Sequence, residues 1–192
     1  MNRSMPMKKV VELLALLEGE GVSVWVDGGW AVDALLGEET RPHSDLDLVV
    51  QEKDIARLRH LLEERGFKDQ PRDDTSPWNF VLGDAAGHDV DLHVVTLDAN
   101  GDGIYGPPER GQRYPAPSLT GHGVIGGHPV RCISPEWLVK SHAGYNFDDQ
   151  DVADVLALHR RFGVPLPAEY LPFRGSRPTT VHILQGDWRK DL

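Results

Sequence analysis

Asp45 and Asp47 stand two apart in the apolar run Asp45-Leu46-Asp47-Leu48-Val49-Val50. A period of two puts both carboxylates on one face of a strand. Like charges that close repel, and burial raises a carboxyl pKa or destabilises the fold. A bound divalent cation removes the conflict. Upstream, Gly28-Gly29 in Asp27-Gly28-Gly29-Trp30 reads as a turn. Its backbone N–H groups can approach phosphate oxygens closely because no Cβ intervenes. Asp-x-Asp next to such a turn is the chemistry of a metal–triphosphate site. A third carboxylate, Asp91, lies in His88-Asp89-Val90-Asp91-Leu92-His93, where Asp89, Asp91 and His93 share one strand face. If this strand lies beside the first, Asp91 meets Asp45 and Asp47. Three carboxylates around two Mg²⁺ ions suit nucleotidyl transfer: one ion polarises the attacking hydroxyl, the other neutralises the triphosphate.

Further residues carry two readings each. Arg41, just before the acidic strand, binds phosphate through its planar fork or is an ordinary loop arginine. His43 orients an aspartate or lines the nucleotide site, or else stabilises a turn. Lys140 and His142 lie two apart on a helix and so on different faces; Lys140 reaches phosphate or is solvated. Tyr145 stacks on a base or packs. Trp30 reads as core, and Asp89 assists Asp91 or faces solvent. Asp148, Asp149, Asp151 and Asp154 complement a helix dipole, and also offer a surface to a cationic ligand. Asp98-Ala-Asn100-Gly-Asp102-Gly103 followed by Glu109 satisfies a calcium-loop pattern. A strand precedes it and Pro107-Pro108 precedes Glu109, so a turn after the strand is the better reading.

The elements that must position these residues follow from periodicity. Met7 to Glu18 carries Val10, Val11, Leu13, Leu14 and Leu17 at helical spacing, ended by Gly19 and Gly21. Val22 to Val26 reads as a strand, Trp30 to Leu36 as a short helix ended by Gly37, and Leu46 to Val50 as the second strand. Lys53 to Arg65 is an amphipathic helix. Phe80 to Leu82 and Val90 to Leu97 read as strands joined by a turn at Gly83 to Gly87. Asp98 to Gly127, rich in Gly and Pro, reads as a long functional or poorly ordered loop. Val124 to Ile133 returns as a hairpin around Gly126-Gly127. Ser134-Pro135-Glu136 starts a helix, and Asp148 to Phe162 forms another before Gly163 and Pro165. The expected fold class is α+β: a mixed sheet with helices packed on it in residues 1–133, a small helical unit in 134–164, and an extended tail in 165–192.

Composition bounds the function. The 192 residues are 40% hydrophobic and 26% charged, ordinary for a globular chain. Thirty acidic against 20 basic residues give a net charge of −10. No basic footprint for nucleic acid is visible, whereas a cationic small molecule would be attracted. No apolar run approaches the length of a membrane span, and Met1 to Lys9 has no apolar core of a secretory signal. The single cysteine, Cys132, fits a buried structural thiol in a reducing cytoplasm. The helical unit and the Pro-rich tail offer a surface for a homodimer.

Gly-Gly, then Asp-x-Asp, then a lone Asp on a later strand is similar to the signature of the polymerase-beta-like nucleotidyltransferase superfamily. The longer string Asp27-Gly-Gly-Trp-Ala-Val-Asp33, with Arg41-x-His43-x-Asp45-Leu-Asp47, resembles the antibiotic nucleotidyltransferases. It looks most like the lincosamide group, then the aminoglycoside 2''-O-nucleotidyltransferases. Arg131-Cys132-Ile133-Ser134 and His142-Ala143-Gly144-Tyr145 also resemble the lincosamide group. The likeness runs from residue 7 to about residue 160.

The resemblance implies an enzyme moving AMP, or another nucleoside monophosphate, from a triphosphate to a drug hydroxyl with Mg²⁺. It implies Asp45, Asp47 and Asp91 as metal ligands and catalytic carboxylates, with Asp91 also the candidate general base, and Gly28 and Gly29 at the triphosphate. Arg41, His43 and Lys140 are the further nucleotide-binding candidates. Gly29 departs from the serine that many superfamily members place there, so one side-chain phosphate contact is missing. Two other readings share the fold: transfer to a protein or another metabolite, and a catalytically silent binding or toxin–antitoxin partner. ATP against other triphosphates, and lincosamide against aminoglycoside, stay open at this level.

Overall fold

A computed structural model describes residues 4–144 and 146–175. Tyr145 and residues 176–192, the larger part of the expected tail, lie outside the described residues. The chain divides into two compact units, Met1–Leu138 and Val139–Leu192.

In the first unit, helix α1 (Met7–Gly19) buries Val10, Leu13, Leu14 and Leu17, one stripe at i, i+3, i+4 and i+7. Strand β1 (Val24–Val26) leads into helix α2 (Gly28–Leu36), which the left-handed Gly37 ends. Strand β2 (Asp45–Gln51) precedes helix α3 (Ile55–Glu63), whose Leu58, Leu61 and Leu62 are buried. Strands β3 (Lys68–Asp69), β4 (Asn79–Gly83), β5 (Asp89–Leu97), β6 (Gly103–Tyr105) and β7 (Arg113–Tyr114) follow. The hairpin of β8 (Gly121–Ile125) and β9 (His128–Cys132) turns on Gly126-Gly127, both at positive φ, as a tight two-residue turn requires.

These strands form one mixed sheet in the order β3-β4-β5-β2-β1-β9-β8, with β6 on β5 and β7 on β6. The pairs β2–β5 and β1–β9 are parallel and the rest antiparallel. The architecture is α+β. Leu46, Leu48 and Val50 of β2 and Val90, Leu92 and Val94 of β5 are all buried on one face. The alternate residues, Asp45, Asp47, Asp89, Asp91 and His93, share the opposite face. Cys132 on β9 is buried, and burial together with the charge of Asp27 pushes its thiol up to about 12.

Two readings of the first unit need correction. Helix α2 begins at Gly28, not Trp30, because the Asp27 side chain caps it by accepting from the Gly28 N–H at 2.8 Å. The segment from Asp98 to Gly127 is not a structureless loop. It contains β6, β7, a 3₁₀ turn at Ala116–Thr120 and the start of β8. Asp98 Oδ1 accepts from the N–H groups of Asn100 and Asp102, and Asp102 Oδ1 from that of Ala116. Side chain to backbone bonds of this kind shape a segment without leaving an apolar period in the sequence. The calcium-loop pattern folds as the turn between the antiparallel β5 and β6.

In the second unit, helix α4 (Pro135–Ser141) carries the unit boundary, and helix α5 (Asp149–Phe162) begins at a capping box of Asp148 and Asp151. Within the expected tail, Ala168–Phe173 is a 3₁₀ helix and not extended. Its Tyr170 is buried, stacks on Phe147 with ring centroids 4.5 Å apart, and donates to the His142 carbonyl at 2.6 Å.

Gly123 on β8 shows how tightly α2 sits on the sheet. A Cβ there would overlap the Ala34 carbonyl of α2, which is backbone and has nowhere to swing. Gly123→Ala is expected to cost about 1–3 kcal/mol of stability, read as a lower urea midpoint at unchanged m. An unchanged midpoint would mean that α2 is not fixed against β8.

Candidate active site

Parallel pairing sets β2 and β5 in register, Asp45 opposite Asp89 and Asp47 opposite Asp91. Side chains at facing positions of a parallel pair point the same way, so the register delivers the carboxylates to one place. Ligand atoms of Asp47, Asp91 and His93 all lie within 4.8 Å of one another, and this trio can hold a metal ion. Asp45 is the neighbour on the same face of β2 and lies outside that trio. It is half-buried, and its Oδ1 accepts from the Ser44 hydroxyl at 3.0 Å.

The electrostatics of the group are those of crowded acids. Burial, then the charge of Asp45, pushes the Asp47 carboxyl up to about 7; Asp27 and Asp91 add to the rise, and His93 opposes it. Asp91 is also raised, by burial and by Asp45 and Asp74, against the pull of His93 and Arg72. Burial would lower His93, but the neighbouring acids Asp27, Asp47 and Asp91 lift it to about 9. Among the described residues Asp91 Oδ1 is buried without a hydrogen-bond partner, and His93 Nε2 lies 3.7 Å away. An orphaned carboxylate oxygen among raised carboxyls fits a bound cation, which would supply the missing partner.

Asp27 ties the glycine turn to this group. Its Oδ1 takes the Gly28 N–H, and its Oδ2 accepts from the Tyr114 hydroxyl at 3.0 Å. Tyr114 in turn lies 2.9 Å from His93 Nδ1, so with its proton on Asp27 its oxygen accepts the Nδ1–H. Burial and Asp27 hold the Tyr114 hydroxyl well above its ordinary range, so it keeps the proton it donates. Burial pushes Asp27 up, but His93, the Gly28 N–H and Tyr114 outweigh it and leave the carboxyl lowered.

Gly28 has φ 57°, and a Cβ there would overlap Asp47 Oδ2. Only glycine lets the start of α2 press against the β2 carboxylate. At Gly29 a Cβ would stand 2.6 Å from both Arg41 Nη2 and His43 Nδ1. Arg41 and His43 thus pack over the turn. Lys140 is exposed at the end of α4 and belongs to the second unit.

Four residues at the site escaped the sequence reading of its roles. Asp27 and His93 were within reach, Asp27 as the first residue of the Asp-Gly-Gly string and His93 as the next residue on the Asp91 face. Tyr114 and Arg72 were not. Arg72, between β3 and β4, pairs with Asp91 Oδ2 at 3.2 Å and Asp89 Oδ2 at 3.5 Å. It and Tyr114 reach the site across 19 and 87 positions of chain, with no periodic signal to mark them.

The chain is similar to known proteins over most of its length. Residues 9–158 match the model of the aminoglycoside-2''-adenylyltransferase family. A lincosamide resistance protein of Staphylococcus haemolyticus is 27% identical over 154 residues, 80% of this chain and 94% of the relative. A 2''-aminoglycoside nucleotidyltransferase of Escherichia coli is 29% identical over 138 residues, 70% and 71% of the two chains. Among solved structures, the lincosamide antibiotic adenylyltransferase LnuA with lincomycin bound superposes with a TM-score of 0.70 at 27% identity, over 81% of this chain and 97% of that one. The chain therefore belongs to the aminoglycoside-2''-adenylyltransferase family, and its fold is that of a nucleotidyltransferase.

Proposed function

We propose that this chain transfers a nucleoside monophosphate, AMP in the first instance, from a nucleoside triphosphate to a hydroxyl of an antibiotic. The observation that carries the reading is the register pair Asp47–Asp91 beside the start of α2. Asp45, Asp47 and Asp91 would hold divalent cations, with the His93 imidazole alongside. Mg²⁺ bound there neutralises triphosphate charge and acidifies the acceptor hydroxyl. Gly28 and Gly29 let the triphosphate approach the backbone at the N-terminus of α2, where the helix dipole favours an anion. Arg41 adds a cation beside that turn. Asp91 takes the acceptor proton; the acceptor oxygen bonds to the α-phosphorus as the bond to the bridging oxygen breaks and pyrophosphate leaves. Arg72 holds Asp91 by its other oxygen. That contact orients the base.

The acceptor we favour is a lincosamide. The relative from S. haemolyticus is matched over 94% of its length, against 71% for the aminoglycoside enzyme of E. coli. Both drug classes carry amines, and the net charge of −10 suits a cationic acceptor. We place the reaction in the cytoplasm, where nucleoside triphosphates are available. Among the described residues no helix is long and apolar enough to cross a membrane.

Incubation with Mg-ATP and a panel of lincosamides and aminoglycosides is expected to add one adenylyl group to a lincosamide, read by mass spectrometry. Modification of aminoglycosides alone would overturn the acceptor, and no modification of either class would overturn the function. Asp47→Asn is expected to lower kcat by about a thousandfold or more, with an unchanged circular dichroism spectrum. Asp91→Asn should cost roughly 100- to 10,000-fold, the usual worth of a general base, and far more than Arg41→Ala. Equal losses from those two variants would contradict the division of roles.

A further inference from the structure

The antibiotic-transfer reading leaves one buried polar pair without a task. Asp33 and His43 are only 2% and 5% exposed. Asp33 sits on α2 among the buried Trp30, Ala31, Val32 and Ala34. An aspartate in the interior of so apolar a helix costs both helix propensity and desolvation, and needs partners to be tolerated. It has two. Its Oδ1 accepts from the Thr40 hydroxyl at 2.6 Å, and its Oδ2 lies 2.5 Å from His43 Nε2.

The chain of bonds continues beyond that pair. Arg41 Nη1 lies 3.1 Å from His43 Nδ1. A guanidinium is a donor only, so Nδ1 is the acceptor and Nε2 carries the proton given to Asp33. The ring itself is pinned. It lies against Trp30 with centroids 4.4 Å apart, and the His43 backbone carbonyl accepts from the Met5 N–H at 2.8 Å. At the far end, Arg41 Nη2 is 2.6 Å from the place a Cβ on Gly29 would take.

We infer that Asp33 and His43 are positioning residues, which fix the Arg41 guanidinium over the Gly28–Gly29 turn so that it binds the triphosphate there. The inference rests on the nucleotidyl-transfer reading and deepens it. A pair serving stability alone would need only Asp33, His43 and Thr40. This one ends on a cation held at the turn, where Gly29 leaves room because it has no side chain. Arginine at that spot supplies the donor that the turn itself does not carry. A guanidinium whose place is set before an anion arrives loses less side-chain freedom on binding.

The test is a double-mutant cycle on Arg41→Ala and His43→Phe, with KM for ATP, KM for the antibiotic, kcat and thermal midpoint measured for each protein. Phenylalanine keeps the ring against Trp30 and removes both bonds. Arg41→Ala is expected to raise the ATP KM about tenfold, the worth of a charge-assisted contact, with the antibiotic KM unchanged. His43→Phe should raise the ATP KM several-fold, and the double variant should be no worse than Arg41→Ala. Thr40→Val, a milder loosening of Asp33, should give a smaller rise in the same constant. If His43→Phe does not fold, Thr40→Val combined with Arg41→Ala completes the cycle. Additive effects on the ATP KM, or variants that lose thermal stability with an unchanged ATP KM, would overturn the positioning role and leave the transfer reading standing. A wild-type protein that transfers nothing from ATP would remove both.

Discussion

The site depends on how closely two pieces of backbone approach each other. The first residue of α2 lies so near the Asp47 carboxylate that a Cβ on Gly28 would overlap it. Glycine removes that obstacle and accepts φ 57° at no steric cost. Asp27, one residue earlier, both caps the helix and bonds Tyr114. A helix N-terminus that attracts anions is thereby set against carboxylates that attract cations. The two requirements of a metal-bound triphosphate meet where Gly28 faces Asp47, 19 positions apart in the chain.

What keeps them there is the sheet. β2 and β5 are parallel over seven registered pairs, from Asp45–Asp89 to Gln51–Val95. A shift of one residue would turn Asp91 into the core and bring Val90 to the site. The buried leucines and valines of the opposite face forbid that shift, because it would put carboxylates among them. The hydrophobic effect on one face thus holds like charges together on the other. Burial first, and then the neighbouring acids, raise the carboxyls of Asp47 and Asp91, and His93 and Arg72 offset the rise only in part.

Alternation explains why so much of this was legible in the chain. Asp45 and Asp47 share a face by period two, and Asp91 follows by the same rule on a later apolar strand. The capped helices and the Gly126-Gly127 hairpin carry local chemistry that sequence states directly. The rest depends on contacts that sequence does not order. Asp98 and Asp102 shape a hairpin through backbone amides, in a stretch whose glycines and prolines suggested no structure. Tyr170 is buried in a 3₁₀ helix within a segment that has little periodicity of its own. Arg72 arrives from an irregular connection, and no spacing rule links it to Asp91.

His93 marks the boundary between these two kinds of information. Its place on the strand is a matter of counting, two residues after Asp91 on the same face. Its role is not, because an imidazole has two nitrogens with different partners. Tyr114, from a strand of only two residues, fixes Nδ1 and leaves Nε2 directed at Asp91. The tyrosine does so only because its hydroxyl donates to Asp27. The residue before the glycine turn therefore orients a ring beside the carboxylates, and the turn and the acidic face are coupled twice: once through the missing Cβ at Gly28, and once through hydrogen bonds. A change at Asp27 acts on both sides of the site, although Asp27 is neither an expected metal ligand nor part of the turn backbone.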